Sequence, residues 1–169
     1  QSTTINGVAV GYTNNAYPTN LHVLNVNYYD QYNYPNAPAV PTQLSNGTPV
    51  SQMTKGLPTG SWTRVMTTPT ATLNETAYVF YDVHGRAVKG YQKNHYNGYT
   101  QSEAKINFEG AVTELETQHK KSTASSDPLV KVLEKFYYTA QGRLSQRSHK
   151  INSLPEVMLS ENAYTELGR

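Results

Sequence analysis

The sequence predicts an all-β protein, an antiparallel array of short strands with few or no helices. Three observations carry that prediction. Tyr81-Asp-Val-His-Gly85-Arg86, Tyr138-Thr-Ala-Gln-Gly142-Arg143 and Tyr164-Thr-Glu-Leu-Gly168-Arg169 share an aromatic residue four positions before Gly-Arg, and Ile106-Asn-Phe108-Glu-Gly110-Ala111 is a degenerate copy that keeps an aromatic, Phe108, and the glycine. The glycines are 25, 32 and 26 residues apart, room for two strands and two connections per unit. Finally, 14 Tyr, abundant Thr and Asn, and only 15% charged residues describe a polar, pleated surface and argue against highly charged disorder.

The elements follow in order. Residues 1–20 are rich in Thr and Asn, with Asn6-Gly7 as a turn, and read as a weakly structured start. Leu21 to Tyr29 alternates as a strand. Asn33 to Pro58 carries Pro35, Pro38, Pro41, Pro49 and Pro58 together with Asn46-Gly47, and reads as a long connection, so that 21–61 is a strand plus a Pro/Asn-rich linker. The repeat array occupies 62–169. Its expected strands are Trp62 to Thr67, Glu75 to Tyr81, Ala87 to Gln92, Ala104 to Phe108, Val112 to His119, Leu144 to Ile151 and Val157 to Tyr164, with longer loops at Asn97-Gly98 and Ser122 to Asp127. One segment conflicts. Asp127-Pro128 followed by Leu129, Val132, Leu133 and Phe136 is a helix signature, whereas the repeat frame aligns Lys135 to Tyr138 with Tyr78 to Tyr81 and predicts a strand. The strand is the reading taken.

Within a unit, Tyr suits a half-buried strand with one wet end, Gly accepts a positive φ in the turn, and Arg offers a planar fork of donors to the next turn. The repeat positions are Tyr81, Gly85, Arg86, Phe108, Gly110, Tyr138, Gly142, Arg143, Tyr164, Gly168 and Arg169. None of them is expected to be catalytic.

These hexapeptides resemble the YD repeats of the RHS family. Lys55-Gly-Leu-Pro-Thr-Gly-Ser-Trp-Thr-Arg64-Val-Met with Thr76-Ala-Tyr-Val-Phe-Tyr-Asp82, Val26-Asn-Tyr-Tyr-Asp-Gln-Tyr32 and Ala104-Lys-Ile-Asn-Phe-Glu-Gly110 are similar, more narrowly, to large RHS-repeat secreted or surface proteins of Bacteroidetes such as flavobacteria. The resemblance spans about residues 20 to 169. It departs at Thr139 and Thr165, which replace the aspartate, and at Ala111, which replaces the arginine. The resemblance implies a segment of a β-shell that can enclose a C-terminal, toxin-like domain, export by type IX secretion, and a secreted or cell-surface location. The implied partners are the rest of the shell, the enclosed domain and outer-membrane secretion or surface machinery. The last copy stops at Arg169, before the strand expected after its turn, so a longer parent protein is expected.

For chemistry the sequence offers little. Without Cys there is no disulfide scaffold and no thiolate metal site. His22, His84, His95, His119 and His149 include no pair at metal-ligand spacing, and Asp30, Asp82 and Asp127 are far apart, so no metal, cofactor or acid–base pair is expected. A net charge of +2 with scattered basic residues, Lys120-Lys121 aside, does not call for nucleic acid, and no apolar run is long enough to span a bilayer. Two other classes remain open. One is a carbohydrate-binding or adhesion module using Trp62, Tyr91, Tyr96 and Tyr99; the other is a hydrolase whose site the linear sequence does not reveal, with His84 or His119 beside a buried carboxylate as its mark.

Overall fold

Alternating side chains and closely spaced turn residues produce eleven strands and no helix among the described residues, which are 3–13, 21–68 and 70–165 of this computed structural model. A hairpin of β1 (Thr3–Ile5) and β2 (Val8–Val10) forms a two-stranded sheet. The other strands are β3 (Asn25–Asp30), β4 (Thr54–Arg64), β5 (Asn74–Tyr81), β6 (Ala87–Lys93), β7 (Asn97–Ile106), β8 (Val112–Ser122), β9 (Val130–Tyr138), β10 (Leu144–Ile151) and β11 (Val157–Glu161). Each pairs antiparallel with its sequence neighbour, giving one nine-stranded meander. Among the described residues no helix is long and apolar enough to cross a membrane, which says nothing of a β-barrel.

The all-β prediction holds, and β9 is a strand over the residues with the helix signature. The reason is lateral pairing: β9 bonds to both β8 and β10, which outweighs a local preference of a few tenths of a kcal/mol per residue.

Several boundaries differ from expectation. Within the start, residues 3–10 are a hairpin, because Asn6 (φ 45°) and Gly7 (φ 81°) close a tight turn that delivers buried Val8 and Val10 against Val26 and Tyr28, while residues 14–20 lie outside the described residues. β4 starts at Thr54, within the segment read as connection, so the strand that carries Trp62 crosses the expected boundary at 62. Pro58 fits there because pairing is irregular opposite Tyr29, where a missing N–H is tolerated. The Pro-rich linker is also a cover for the sheet: Leu44 is buried with Phe80 and Val88, and Tyr32, Val40 and Val50 pack around them. Asn97-Gly98 opens β7 instead of forming a long loop. Asn97 adopts φ 62°, and the connection from β6 needs only residues 94–96.

Both apolar clusters lie at the β3–β6 side of the sheet. From β7 onward no hydrophobic side chain of the described residues is fully buried.

Gly98 marks the closest backbone approach. A Cβ there would sit 2.1 Å from the Lys121 carbonyl oxygen, and backbone cannot step aside. Gly90 is less constrained, since its Cβ would meet the rotatable Ser102 Oγ at 3.3 Å. Thermal denaturation should therefore show Gly98→Ala destabilised by about 1–3 kcal/mol, the range for overpacking, and Gly90→Ala by clearly less. Equal melting temperatures for the two variants would contradict this.

Candidate functional site

Every second connection of the meander falls at one end of the sheet, which brings the turns 82–86, 107–111 and 139–143 into a row. They have one backbone plan. Asp82 N–H donates to the Arg86 carbonyl at 2.9 Å and Gly85 N–H to the Asp82 carbonyl at 3.1 Å. The corresponding bonds are 2.9 and 3.1 Å at Asn107, and 2.8 and 2.9 Å at Thr139. Gly85, Gly110 and Gly142 follow with φ of 73°, 93° and 74°, the left-handed conformation of a type I turn closed by a glycine bulge.

The first residue of each turn closes it with a side-chain oxygen. Asp82 Oδ1 accepts the N–H groups of His84 and Arg86 at 2.9 Å, Asn107 Oδ1 accepts that of Ala111 at 2.8 Å, and Thr139 Oγ1 accepts those of Gln141 and Arg143 at 3.3 Å. Three residue types thus do one job, because each places an acceptor one or two bonds from Cβ. Thr139 is a substitution that keeps this acceptor.

Neighbouring turns touch. Arg86 Nε donates to Asp82 Oδ2 at 2.6 Å, and its Nη1 donates to the Asn107 carbonyl of the next turn at 3.2 Å. Glu109 then lies against Gly142 in the third turn. Arg143 differs: it is exposed, and its guanidinium sits 5.5 Å from the centre of the Tyr164 ring. The repeat tyrosines reach back across the sheet. Tyr81 Oη donates to the Pro58 carbonyl at 2.6 Å, Tyr138 to Val112 at 2.8 Å and Tyr164 to Leu144 at 2.8 Å. Each acceptor lies two residues after a glycine of positive φ, namely Gly56, Gly110 and Gly142. Sequence inspection missed this link, although the constant offset was there to be found.

Phe108 requires a correction. It occupies the turn tip, equivalent to Val83 and Ala140, and is 99% exposed; the residue in register with Tyr81 is Ile106, which packs against the Leu44–Phe80–Val88 cluster. Gly168 and Arg169 lie outside the described residues.

A second feature is a cleft of about 550 Å³ between the β4–β6 face, the β1–β2 hairpin and residues 34–38. Its aromatic lining is Tyr28, Tyr34, Trp62, Tyr78 and Tyr91. Tyr28 stacks on Tyr34 at 4.2 Å, Tyr78 on Tyr91 at 4.8 Å, and Tyr91 on Tyr99 at 5.7 Å. Burial holds the Tyr34 and Tyr78 hydroxyls protonated, with pKa values pushed up to about 12. Of the four rings first considered as a platform, Trp62 and Tyr91 line this cleft and Tyr99 extends its ladder. Tyr96 stands apart, 60% exposed beside His95.

The histidines are dispersed. The side chain of His84 is exposed at its turn, His119 Nδ1 meets Thr100 Oγ1 at 2.8 Å, and His95 Nδ1 lies 2.9 Å from half-exposed Glu75. No cluster of metal-ligating side chains occurs among the described residues. Comparison with family models, curated proteins and solved structures gives no match.

Removing the Tyr138 hydroxyl while keeping its ring (Tyr138→Phe) should cost about 1 kcal/mol, the net worth of one hydrogen bond. Asp82→Asn should be milder than Asp82→Ala, because Asn107 already closes the same turn with an amide oxygen. Acid should act through Asp82 and Glu103. Burial alone would raise both, but it is outweighed by the Arg86 and His84 donors at Asp82 and by Lys89 and Ser45 at Glu103, so both carboxyls end below the ordinary range. Their contribution is then complete above the unfolded-chain values, about 3.9 for Asp and 4.3 for Glu, and is lost as pH falls through the lower folded values. Melting temperature against pH should fall on that acid limb, and less steeply for Asp82→Asn than for the parent. Parallel curves would remove Asp82 from the account.

Proposed function

We propose that this chain is a structural wall segment of an RHS-type secreted or cell-surface bacterial protein, part of a β-shell able to enclose a C-terminal, toxin-like domain. The observation that supports the reading is the recurrent unit itself: one turn built three times in a row, with a tyrosine hydroxyl tying each repeat tyrosine's segment to the strand before it. Such a unit is satisfied by its neighbours, and an array of such units extends without a central core. The polar sheet beyond β6 supports the same reading, since the wall of a hollow body presents both faces to solvent or cargo rather than to a second packed layer. Export through the type IX pathway and assembly with outer-membrane machinery follow from the resemblance as parts of this proposal.

Electron microscopy of the full-length gene product tests it. A hollow, β-walled particle that shields a downstream domain from added protease is the expected result. A compact particle without a lumen, or a downstream domain cleaved as fast as when expressed alone, would overturn the wall assignment.

A further inference from the structure

The aromatic cleft has no task in a wall, and its chemistry is specific. Cross-strand partners share a sheet face, so Trp62, Thr76, Lys93 and Tyr99 form one row and Gly60, Tyr78, Tyr91 and Gln101 the next. The first row brings an indole, a hydroxyl and an ammonium side by side. In the second, Gly60 leaves room for the Tyr34 ring, whose hydroxyl would otherwise lie 2.2 Å from a Cβ; Tyr34 donates to the Thr59 carbonyl at 3.1 Å and is thereby fixed over the sheet.

Trp62 is also held in place. The Arg64 guanidinium lies 5.6 Å from its ring centre, and Arg64 is itself buried and anchored by bonds from Nε to the Val23 carbonyl at 2.8 Å and from Nη1 to the Ala71 carbonyl at 2.5 Å. The rings are therefore set in place by the fold rather than free to collapse.

Around them the cleft presents Asn36, Asn74 and Thr76, groups that both donate and accept. Among the described residues Lys93 is the only charged one in the lining, and no carboxylate of theirs lines it. A volume of about 550 Å³ falls in the range of small-molecule sites, roughly 300–1,000 Å³. Rigid aromatic surface for C–H faces, amides and hydroxyls for hydroxyl groups, and one unopposed cation together describe one kind of ligand. We infer that this cleft binds an acidic oligosaccharide, a pyranose face against the Trp62 indole, its rim along the edge of the Tyr78–Tyr91–Tyr99 stack and a carboxylate at Lys93. An aliphatic ligand would leave Asn36, Asn74 and Thr76 without a use, and a cationic one would meet Lys93.

Isothermal titration of the purified chain with an oligogalacturonate, beside a neutral cello-oligosaccharide of equal length, tests the inference. Saturable binding of the uronate is expected, stronger than of the neutral oligomer. Lys93→Gln, at a half-exposed position, should weaken uronate binding about tenfold and leave the neutral oligomer unaffected, and Trp62→Ala should weaken both by about tenfold or more. Circular dichroism checks that Trp62→Ala is folded; Trp62→Leu, which keeps much of the bulk but loses the aromatic face, serves in its place if it is not. No binding of either sugar, preference for the neutral one, or binding unchanged by both substitutions would overturn the inference.

Discussion

The five-residue turn with an acceptor side chain at its first position and a left-handed residue at its fourth is the constraint on which the rest of the sheet depends. It sets register. A one-residue slip in a β-hairpin would send every side chain to the opposite face, so a turn that admits a single closure fixes which residues look at the cover segment and which look away. The turns 82–86, 107–111 and 139–143 do this at one end of the sheet. At the other end Asn94 repeats the device, accepting the Tyr96 and Gly98 N–H groups at 3.0 and 2.8 Å, with Asn97 in place of the glycine. Bulges follow at Phe80/Tyr81, Lys105/Ile106 and Leu144/Gln146, and they aim the residues beside each turn.

With register fixed locally, the sheet needs little core, and its two halves use different means of cohesion. On the β3–β6 side, Val8, Val10, Val26 and Tyr28 form one cluster and Leu44, Phe80 and Val88 another, both roofed by segments from the first third of the chain. Beyond β6 the backbone ladder carries ion pairs, Lys131 with Glu116 and Arg147 with Glu134 between neighbouring strands, and Lys135 with Glu156 of the β10–β11 connection at 2.7 Å. Half-exposed pairs of this kind contribute little, about 0–1 kcal/mol. Lys89–Glu103 is the exception, since Glu103 is buried, the Lys89 side chain is only 15% exposed, and Ser45 of the cover segment bonds the same carboxylate at 2.6 Å. Opening of the β8–β11 side before the β3–β6 side is the order this distribution dictates.

Much of this was legible in the sequence wherever the information was local. The spacing from Tyr81, Tyr138 and Tyr164 to a Gly-Arg turn was visible, and the repeat frame outranked the helix signature at Asp127 because a frame reports on neighbouring strands while a propensity does not. Phe108 was misplaced for a complementary reason. Matching the degenerate copy by its aromatic residue ignored the count from the glycine, and the count is what the backbone obeys. The cleft was the least legible part. Trp62 and Tyr91 could be named as surface-capable rings, but Tyr28, Tyr34 and Tyr78 join them only because a hairpin, a proline-rich strap and the sheet converge from distant parts of the chain, and because Gly60 lacks a side chain. Nothing in the linear order of residues encodes that meeting.

The exception to the tyrosine tie shows what the tie replaces. Where Ile106 stands in register with Tyr81, no phenol reaches back to the preceding strand. That same residue packs on the cluster of Leu44, Phe80 and Val88 beneath the cover segment. Tyr81, buried beside that cover, makes the bond, and so do Tyr138 and Tyr164 farther along the sheet. A buried methyl contact and a hydroxyl-to-carbonyl bond each contribute on the order of 1 kcal/mol, so either can hold a unit to its neighbour. The hydrogen bond has the further property that its acceptor is a backbone carbonyl, which every residue supplies. A strand can then vary in sequence and still receive the tie from the next unit, whereas an apolar contact requires a complementary partner. This is a physical reason for a tyrosine to recur at positions 81, 138 and 164 while the residues around it, Asp82 or Thr139 at the turn and Val83 or Ala140 at its tip, are free to differ.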